Sequence, residues 1–155
     1  MALDFQLVID CADPHTLADW WADTLGWEAE GTDEDFIRRM IKEGFASDDD
    51  TVVHKGKLHW KTGAAINHPD GRESGRPRIL FQLVPEPKTI KNRLHIDVSV
   101  GGGRSIPLAV RTERVEAEAA RLVALGATRL RSSDPGIDHY AVAMRDPEGN
   151  EFDIN

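Results

Sequence analysis

The segment most informative about the fold is Asp146-Pro147-Glu148-Gly149-Asn150-Glu151-Phe152-Asp153-Ile154, close to the end of a chain of 155 residues. Its opening residues, up to Asn150, are typical of a turn. The residues that follow alternate, so a strand that buries Phe152 and Ile154 presents Glu151 and Asp153 on its other face. Taken alone, this pattern indicates two carboxylates in water. Residues 79–84, ILFQLV, end the first half of the chain in the same way, and this repetition argues against two merely solvated carboxylates.

The first half begins with a strand and a helix. Residues 5–10 alternate as a strand, and Asp13-Pro14 then supplies a helix N-cap followed by proline at the first helical position. Apolar residues at helical spacing follow until Gly26, which ends the helix. The polar stretch 31–78 is longer than a single connection requires and is interpreted as an insertion.

The second half repeats this order. A strand is predicted over 94–100 and a helix over 112–125, and further strands are predicted over 127–132, 139–144 and 151–154. The sequence therefore predicts an α+β fold of two βαβββ modules, approximately 1–86 and 92–155. Because no long linker separates them, we expect one domain over 1–155, with a curved mixed sheet around a cup.

Composition excludes several classes of partner. The net charge is −8 and the pI is near 5.2, which disfavours nonspecific binding to nucleic acid or anionic membranes. No apolar run approaches the roughly 20 residues that span a bilayer. The single cysteine, Cys11, cannot form an internal disulfide, so we expect a cytoplasmic protein.

Polar residues stand opposite the predicted apolar strand faces. They are Gln6, Gln82, His95 and Asp153. An ordinary antiparallel sheet would leave such residues in water. A sheet curved into a cup would instead bring four strand faces around one cavity, where imidazole, carboxylate and amide oxygen suit a divalent metal.

Three segments carry a resemblance to a known family. LADWWADTLGW at 17–27, VPEPKTIKNRLHIDV at 84–98 and DPEGNEFDI at 146–154 resemble the vicinal oxygen chelate superfamily, and within it the glyoxalase-like domain group. The superfamily includes glyoxalase I, extradiol dioxygenases, fosfomycin-resistance transferases and bleomycin-binding proteins. The resemblance covers essentially the whole chain and is weakest over 31–78.

The resemblance implies a metal site. The superfamily's ligands come from the first, fourth, fifth and eighth strands, which carries them onto Gln6, Gln82, His95 and Asp153. These four would hold one divalent ion (zinc, nickel, iron or manganese), with His95 and Asp153 also catalytic. The chain departs from the family at Gln82, where glutamate is expected, and at Asp153, which is one methylene shorter than glutamate.

Other residues are candidates for substrate contacts. Arg93, in a basic segment between the modules, could grip an anion, or the segment's cations could pair with neighbouring acidic residues. Trp60 lies in the insertion, where it could line the cavity mouth, and Tyr140 begins a strand. The carboxylates Asp97 and Glu151 join Asp153 in the predicted cup and suit a cationic guest.

Three functions fit these residues. The first is a metal-dependent lyase, isomerase or dioxygenase acting on a substrate with vicinal oxygens. The second is a metal-free protein that binds an antibiotic-like small molecule, and the third is a metal-independent acid–base enzyme. In each case the partner is a small molecule, and pairing through sheet edges predicts a homodimer.

Overall fold

A computed structural model of the chain describes residues 5–133 and 138–155, apart from the side chain of Arg72. The chain divides into two compact units, Met1–Pro87 and Lys88–Asn155, called unit 1 and unit 2 below. Within the described ranges, no helix has both the length and the apolar character needed to cross a bilayer.

Unit 1 is a four-stranded mixed sheet with a helix, α1, between its first two strands. Its strands are β1 (Leu7–Cys11), β2 (Glu28–Ala29), β5 (Gly63–Asn67) and β6 (Ile79–Leu83), arranged in the order β1-β6-β5-β2. Strands β1 and β6 are parallel, and the other pairs are antiparallel. Helix α1 (Pro14–Leu25) is capped by the Asp13 carboxylate, which accepts from the Thr16 amide at 3.1 Å, and it ends at Gly26 in the left-handed region.

The insertion supplies a second helix and a hairpin. Helix α2 (Glu34–Lys42) is followed by β3 (Thr51–His54) and β4 (Lys57–Trp60), which pair with each other alone. Their two-residue turn has positive φ at Lys55 (49°) and Gly56 (77°), as a type I′ hairpin turn requires. The insertion is therefore an ordered structure in its own right.

Unit 2 has the same sheet topology. Its strands β7 (Asp97–Val98), β8 (Thr128–Ser132), β9 (Val142–Arg145) and β10 (Glu151–Ile154) lie in the order β7-β10-β9-β8. Strand β10 is parallel to β7 and antiparallel to β9, and helix α3 (Leu108–Ala124) connects β7 to β8. The α+β fold and the repeated βαβββ order are confirmed.

Each unit buries its last strand's alternate residues. Phe81 in β6 and Phe152 in β10 are almost completely buried, as the alternation predicted. Three apolar residues that the strand alternation or the helical spacing would place in the core are instead exposed: Phe5 (71%), Leu94 (84%) and Val123 (47%). Phe5 and Leu94 lie outside their strands, because β1 begins at Leu7 and β7 has only two residues, so neither has a sheet neighbour to pack against.

Candidate functional site

One group of three potential ligands stands out among the described residues. A ligand atom from each of His95, Asp97 and Asp153 lies within 4.8 Å of the others. The Nε2 atom of His95 is 3.3 Å from an oxygen of Asp97 and 3.8 Å from an oxygen of Asp153. One imidazole and two carboxylates form a donor set that fits a divalent transition ion.

The parallel pairing of β7 with β10 creates this group. Asp97 and Asp153 are register partners, so their side chains stand side by side on one face of the sheet. His95 precedes Asp97 by two positions and reaches the same group. Burial of Phe152 and Ile154 on the opposite face determines which way Asp153 points.

A cavity of about 500 Å³ lies next to the cluster in unit 2. Across the sheet, Asp153 pairs with Ala143, which in turn pairs with Arg131. At roughly 4.8 Å per strand, the Arg131 backbone is about 10 Å from that of Asp153. Because Ala143 has only a methyl side chain, the space above it stays open. The basic side chains that line the cavity are Lys88, Lys91, Arg131 and Arg145.

Glu151 lines the same cavity, but its carboxylate is already bound to other residues of unit 2. Its carboxylate accepts from the Asn92 amide at 2.9 Å and pairs with Lys88 at 3.1 Å and with Arg145 at 3.5 Å. The Asn92 amide, with help from Lys88, lowers the pKa of Glu151 to about 2. Glu151 therefore anchors the segment 88–92 to β10. Arg131, by contrast, lines the cavity without an ion pair to a described residue.

The structure does not bring the two predicted amide ligands together. Gln82 is the register partner of Asp10, whereas Gln6 lies beyond the end of β1 at the level of Arg78. At roughly 3.3 Å per residue, their backbones are about 13 Å apart. The Gln6 side-chain oxygen instead accepts from Arg78 Nη1 at 2.8 Å.

Three further candidates for substrate contacts do not line the cavity of unit 2, and their roles stay predictions. Arg93 is exposed and does not line the cavity of unit 2. The Tyr140 hydroxyl donates to Glu116 on α3, and Arg129 and Tyr140 together hold the pKa of Glu116 at about 2. Trp60 lines a different cavity, which lies wholly within unit 1.

Sequence reasoning assigned Asp97 to the substrate and did not single out Arg131. Asp97 belongs to the ligand cluster, because alternation puts it on the face of His95 and the register puts it beside Asp153. The alternation His95-x-Asp97 was a visible signal for this. Arg131 had a weaker signal, since β8 is exposed along its whole length and shows no buried face.

Comparison with solved structures supports the fold. Over 97% of this chain and 94% of the other, it is similar to a glyoxalase/bleomycin resistance protein/dioxygenase family enzyme from Burkholderia phytofirmans, with 17% identity and a TM-score of 0.56. A possible glyoxalase from Bacillus cereus covers 99% and 98%, with 13% identity and a TM-score of 0.57.

A third similar structure is the fosfomycin resistance protein FosX from Listeria monocytogenes, in complex with Mn(II) and a dihydroxypropylphosphonic acid. It covers 100% of this chain and 92% of its own, with 10% identity and a TM-score of 0.57. At these identities the likeness concerns the fold alone. No curated protein matches the chain significantly.

A match to a protein-family model identifies the family, which the solved structures do not. The model described as "Glyoxalase-like domain" matches residues 6–155. This match spans nearly the whole chain and confirms the resemblance carried by residues 17–27, 84–98 and 146–154. The protein belongs to the glyoxalase-like domain family.

Proposed function

We propose that the protein is a metal-dependent enzyme that acts on a small molecule with two neighbouring oxygen atoms. The observation that carries the proposal is the convergence of His95, Asp97 and Asp153 beside a cavity of about 500 Å³. Two structural neighbours are described as family enzymes or resistance proteins, and one of them holds Mn(II).

The donor set favours one reaction class. Non-haem Fe(II) oxygenases use two histidines and one carboxylate, whereas this cluster has one histidine and two carboxylates. An oxygen-rich set suits Mn(II) or Zn(II) acting as a Lewis acid. A lyase or isomerase reaction is therefore favoured over a dioxygenase reaction.

Each residue then has a defined task. His95, Asp97 and Asp153 would hold the ion, which when bound supplies a positive charge that stabilises a developing oxyanion on the substrate. Arg131 would bind an anionic group of the substrate, because it lines the cavity and has no ion pair with a described residue. Ala143 leaves room for the substrate between these two ends.

The basic lining changes the expected guest. The predicted cup carboxylates suggested a cationic molecule, but two of the three are in the ligand cluster and Glu151 is neutralised by Lys88 and Arg145. With Lys91 and Arg131 also lining the cavity, an anionic substrate fits better.

Calorimetric titration of metal-stripped protein with Mn(II) and Zn(II) tests the proposal. We expect one equivalent to bind, and His95→Ala to weaken the affinity by about 100-fold or more. His139→Ala, at an exposed histidine outside the cavity, is the matched control. A wild-type protein that binds neither ion would overturn the proposal and favour a metal-free binding protein.

A further inference from the structure

Unit 1 contains a second cavity of about 560 Å³ that the proposed function does not use. Its walls come from α1, from β5 and β6, and from the inserted segment that includes α2 and the β3–β4 hairpin. Half of the six histidines in the chain line it: His15, His54 and His59. Its volume is that of a small-molecule site.

The histidine rings are packed against one another. The His15 ring centroid is 4.7 Å from that of His59 and 5.2 Å from that of His54. His15 Nε2 lies 3.0 Å from the Trp60 carbonyl oxygen and His54 Nε2 lies 2.6 Å from an Asp19 oxygen, so both rings are engaged with acceptors. No described residue hydrogen-bonds to the His59 ring, which leaves its two nitrogens available to a guest.

The hairpin that carries His54 and His59 is tied down at several points. Asp19 on α1 pairs with both His54 and Lys55, at 2.6 and 2.8 Å. On the other strand, the Leu58 backbone accepts from the Thr32 hydroxyl at 2.7 Å and donates to Glu34 at 3.2 Å. The cavity wall is therefore preorganised, which lowers the entropy cost of binding.

Most charged groups around the cavity are already committed to protein partners, although the lining residue Lys57 has no ion pair with a described residue. Arg78 donates two hydrogen bonds to Glu30, at 2.6 and 2.7 Å. Asp33 accepts from the Phe36 amide at the start of α2, and Asp19 is shared between His54 and Lys55. Burial lowers the pKa of His59, and the neighbouring His15 and His54 lower it further, so its ring is neutral near pH 7. The cavity offers little net charge to a charged guest.

The remaining lining is flat or small. Trp60 and Phe36 form an edge-on pair with ring centroids 6.4 Å apart. The small residues that line the cavity are Ala18, Ala29, Gly31, Gly63, Ala64 and Ala65. Aromatic edges and faces next to small residues favour a planar guest.

We propose that this cavity binds an uncharged, planar heteroaromatic molecule of one or two rings, hydrogen-bonded to His59. The neutral imidazole presents one donor and one acceptor, which suits a heterocycle that carries both groups. This proposal uses only unit 1 residues, so it stands independently of the metal site.

Saturation-transfer NMR with indole and indazole as probes, at pH 7.5, tests the proposal. We expect dissociation constants on the order of 1 mM for molecules of this size. His59→Phe keeps a ring of similar size but removes both nitrogens, and it should weaken indazole binding about fivefold or more. His68→Phe is the matched control, since His68 lies in the same unit outside this cavity.

A second variant tests the proposal even if His59→Phe fails to fold. Trp60→Phe preserves an aromatic wall of smaller area and should weaken both probes by a few-fold. The proposal would be overturned if neither probe binds at about 5 mM, or if indazole binding is unchanged in His59→Phe. Tighter binding of the charged probes benzoate or benzamidine would also overturn it, as would Ni(II) binding that survives His95→Ala but is lost in His59→Phe.

Discussion

The two units have the same strand order but carry different pairs of side chains on equivalent faces. In unit 2 the parallel pair β7–β10 places Asp97 beside Asp153. In unit 1 the parallel pair β1–β6 places Val8 beside Leu80 and, two residues further on, Asp10 beside Gln82. Repetition of a backbone topology therefore does not repeat its site.

The registers also show that Gln6 and Gln82 do not hold places equivalent to those of His95 and Asp153 at the same time. If Gln6 is matched with His95, then Val8 matches Asp97, and the equivalent of Asp153 is Leu80, not Gln82. Matching Gln82 with Asp153 instead makes Asp10 the equivalent of Asp97. The two matches differ by two residues, so unit 1 cannot satisfy both. Gln6 and Gln82 as metal ligands stay a prediction.

The cores of the two units should respond alike. Phe81 and Phe152 are each at most 1% exposed and lie in the last strands of their units, β6 and β10. Substituting alanine for either should lower the free energy of unfolding by about 3–5 kcal/mol, because each leaves a large cavity. Urea denaturation of the two variants measures this. A loss under about 1 kcal/mol in one unit only would show that its core is not packed as described.

Unlike the cores, the strand face with Asp97 and Asp153 in unit 2 should differ in metal binding from the face with Val8 and Leu80 in unit 1. Asp97→Val with Asp153→Leu converts the unit 2 pair into the Val8–Leu80 pair of unit 1. The double variant should lose metal affinity by about 100-fold or more. Without metal, its free energy of unfolding should stay equal or rise by about 0.5 kcal/mol, because two like charges side by side are removed. Titration calorimetry and urea denaturation of the same sample check both effects.

A mirror experiment sharpens this prediction. Gln6→Ala and Gln82→Ala change metal affinity less than about threefold if unit 2 alone holds the ion. A tenfold or larger loss in either variant would restore the four-residue site that the sequence predicted.

Acid stability should depend on Glu151 in unit 2. Its folded pKa of about 2 lies below its ordinary value of 4.5, so it stabilises the fold above pH 4.5. That contribution is lost as the pH falls from about 4.5 to about 2. Glu151→Gln should therefore flatten the decline in Tm over this range, whereas Glu86→Gln, at an exposed carboxylate, should not. Identical Tm profiles for wild type and Glu151→Gln would contradict the role of the Asn92 amide.

The smallest difference concerns the helices. Helix α1 has the Asp13 side-chain cap, whereas α3 begins after Pro107 without one. Asp13→Ala should cost about 1 kcal/mol of stability, and Asp13→Asn should restore most of it because asparagine caps equally well. Equal losses in both variants, measured by thermal unfolding, would point to a contact other than the cap.

Alternation predicted which way side chains face but not their level along the sheet. The burial of Phe152 and Phe81, the limits of α1 at Asp13 and Gly26, and the repeated strand order all followed from local patterns. The period of two residues says nothing of which residues lie beside each other in parallel strands that are distant in sequence. Hence the separation of Gln6 from Gln82 depends on the register of β1 and β6, just as the proximity of His95 and Asp153 depends on that of β7 and β10.

The insertion was the least readable part of the chain for a different reason. The segment His54-Lys-Gly-Lys-Leu-His59-Trp60 lacks an alternating apolar face, because its hairpin packs through polar contacts such as Asp19 with His54. From the sequence alone, its histidines are expected to be exposed loop residues. They line a cavity because His54 pairs with Asp19, and His15 lies within hydrogen-bond distance of the Trp60 carbonyl oxygen. These contacts join residues that are distant in sequence, so a local pattern does not reveal them.

The most direct test of the metal site is an anomalous difference map from a crystal grown with Mn(II). We predict one peak within about 2.0–2.4 Å of His95 Nε2 and of an oxygen from each of Asp97 and Asp153. A map without a peak at His95, or with its peak held by other residues, would contradict the assignment of the site to unit 2.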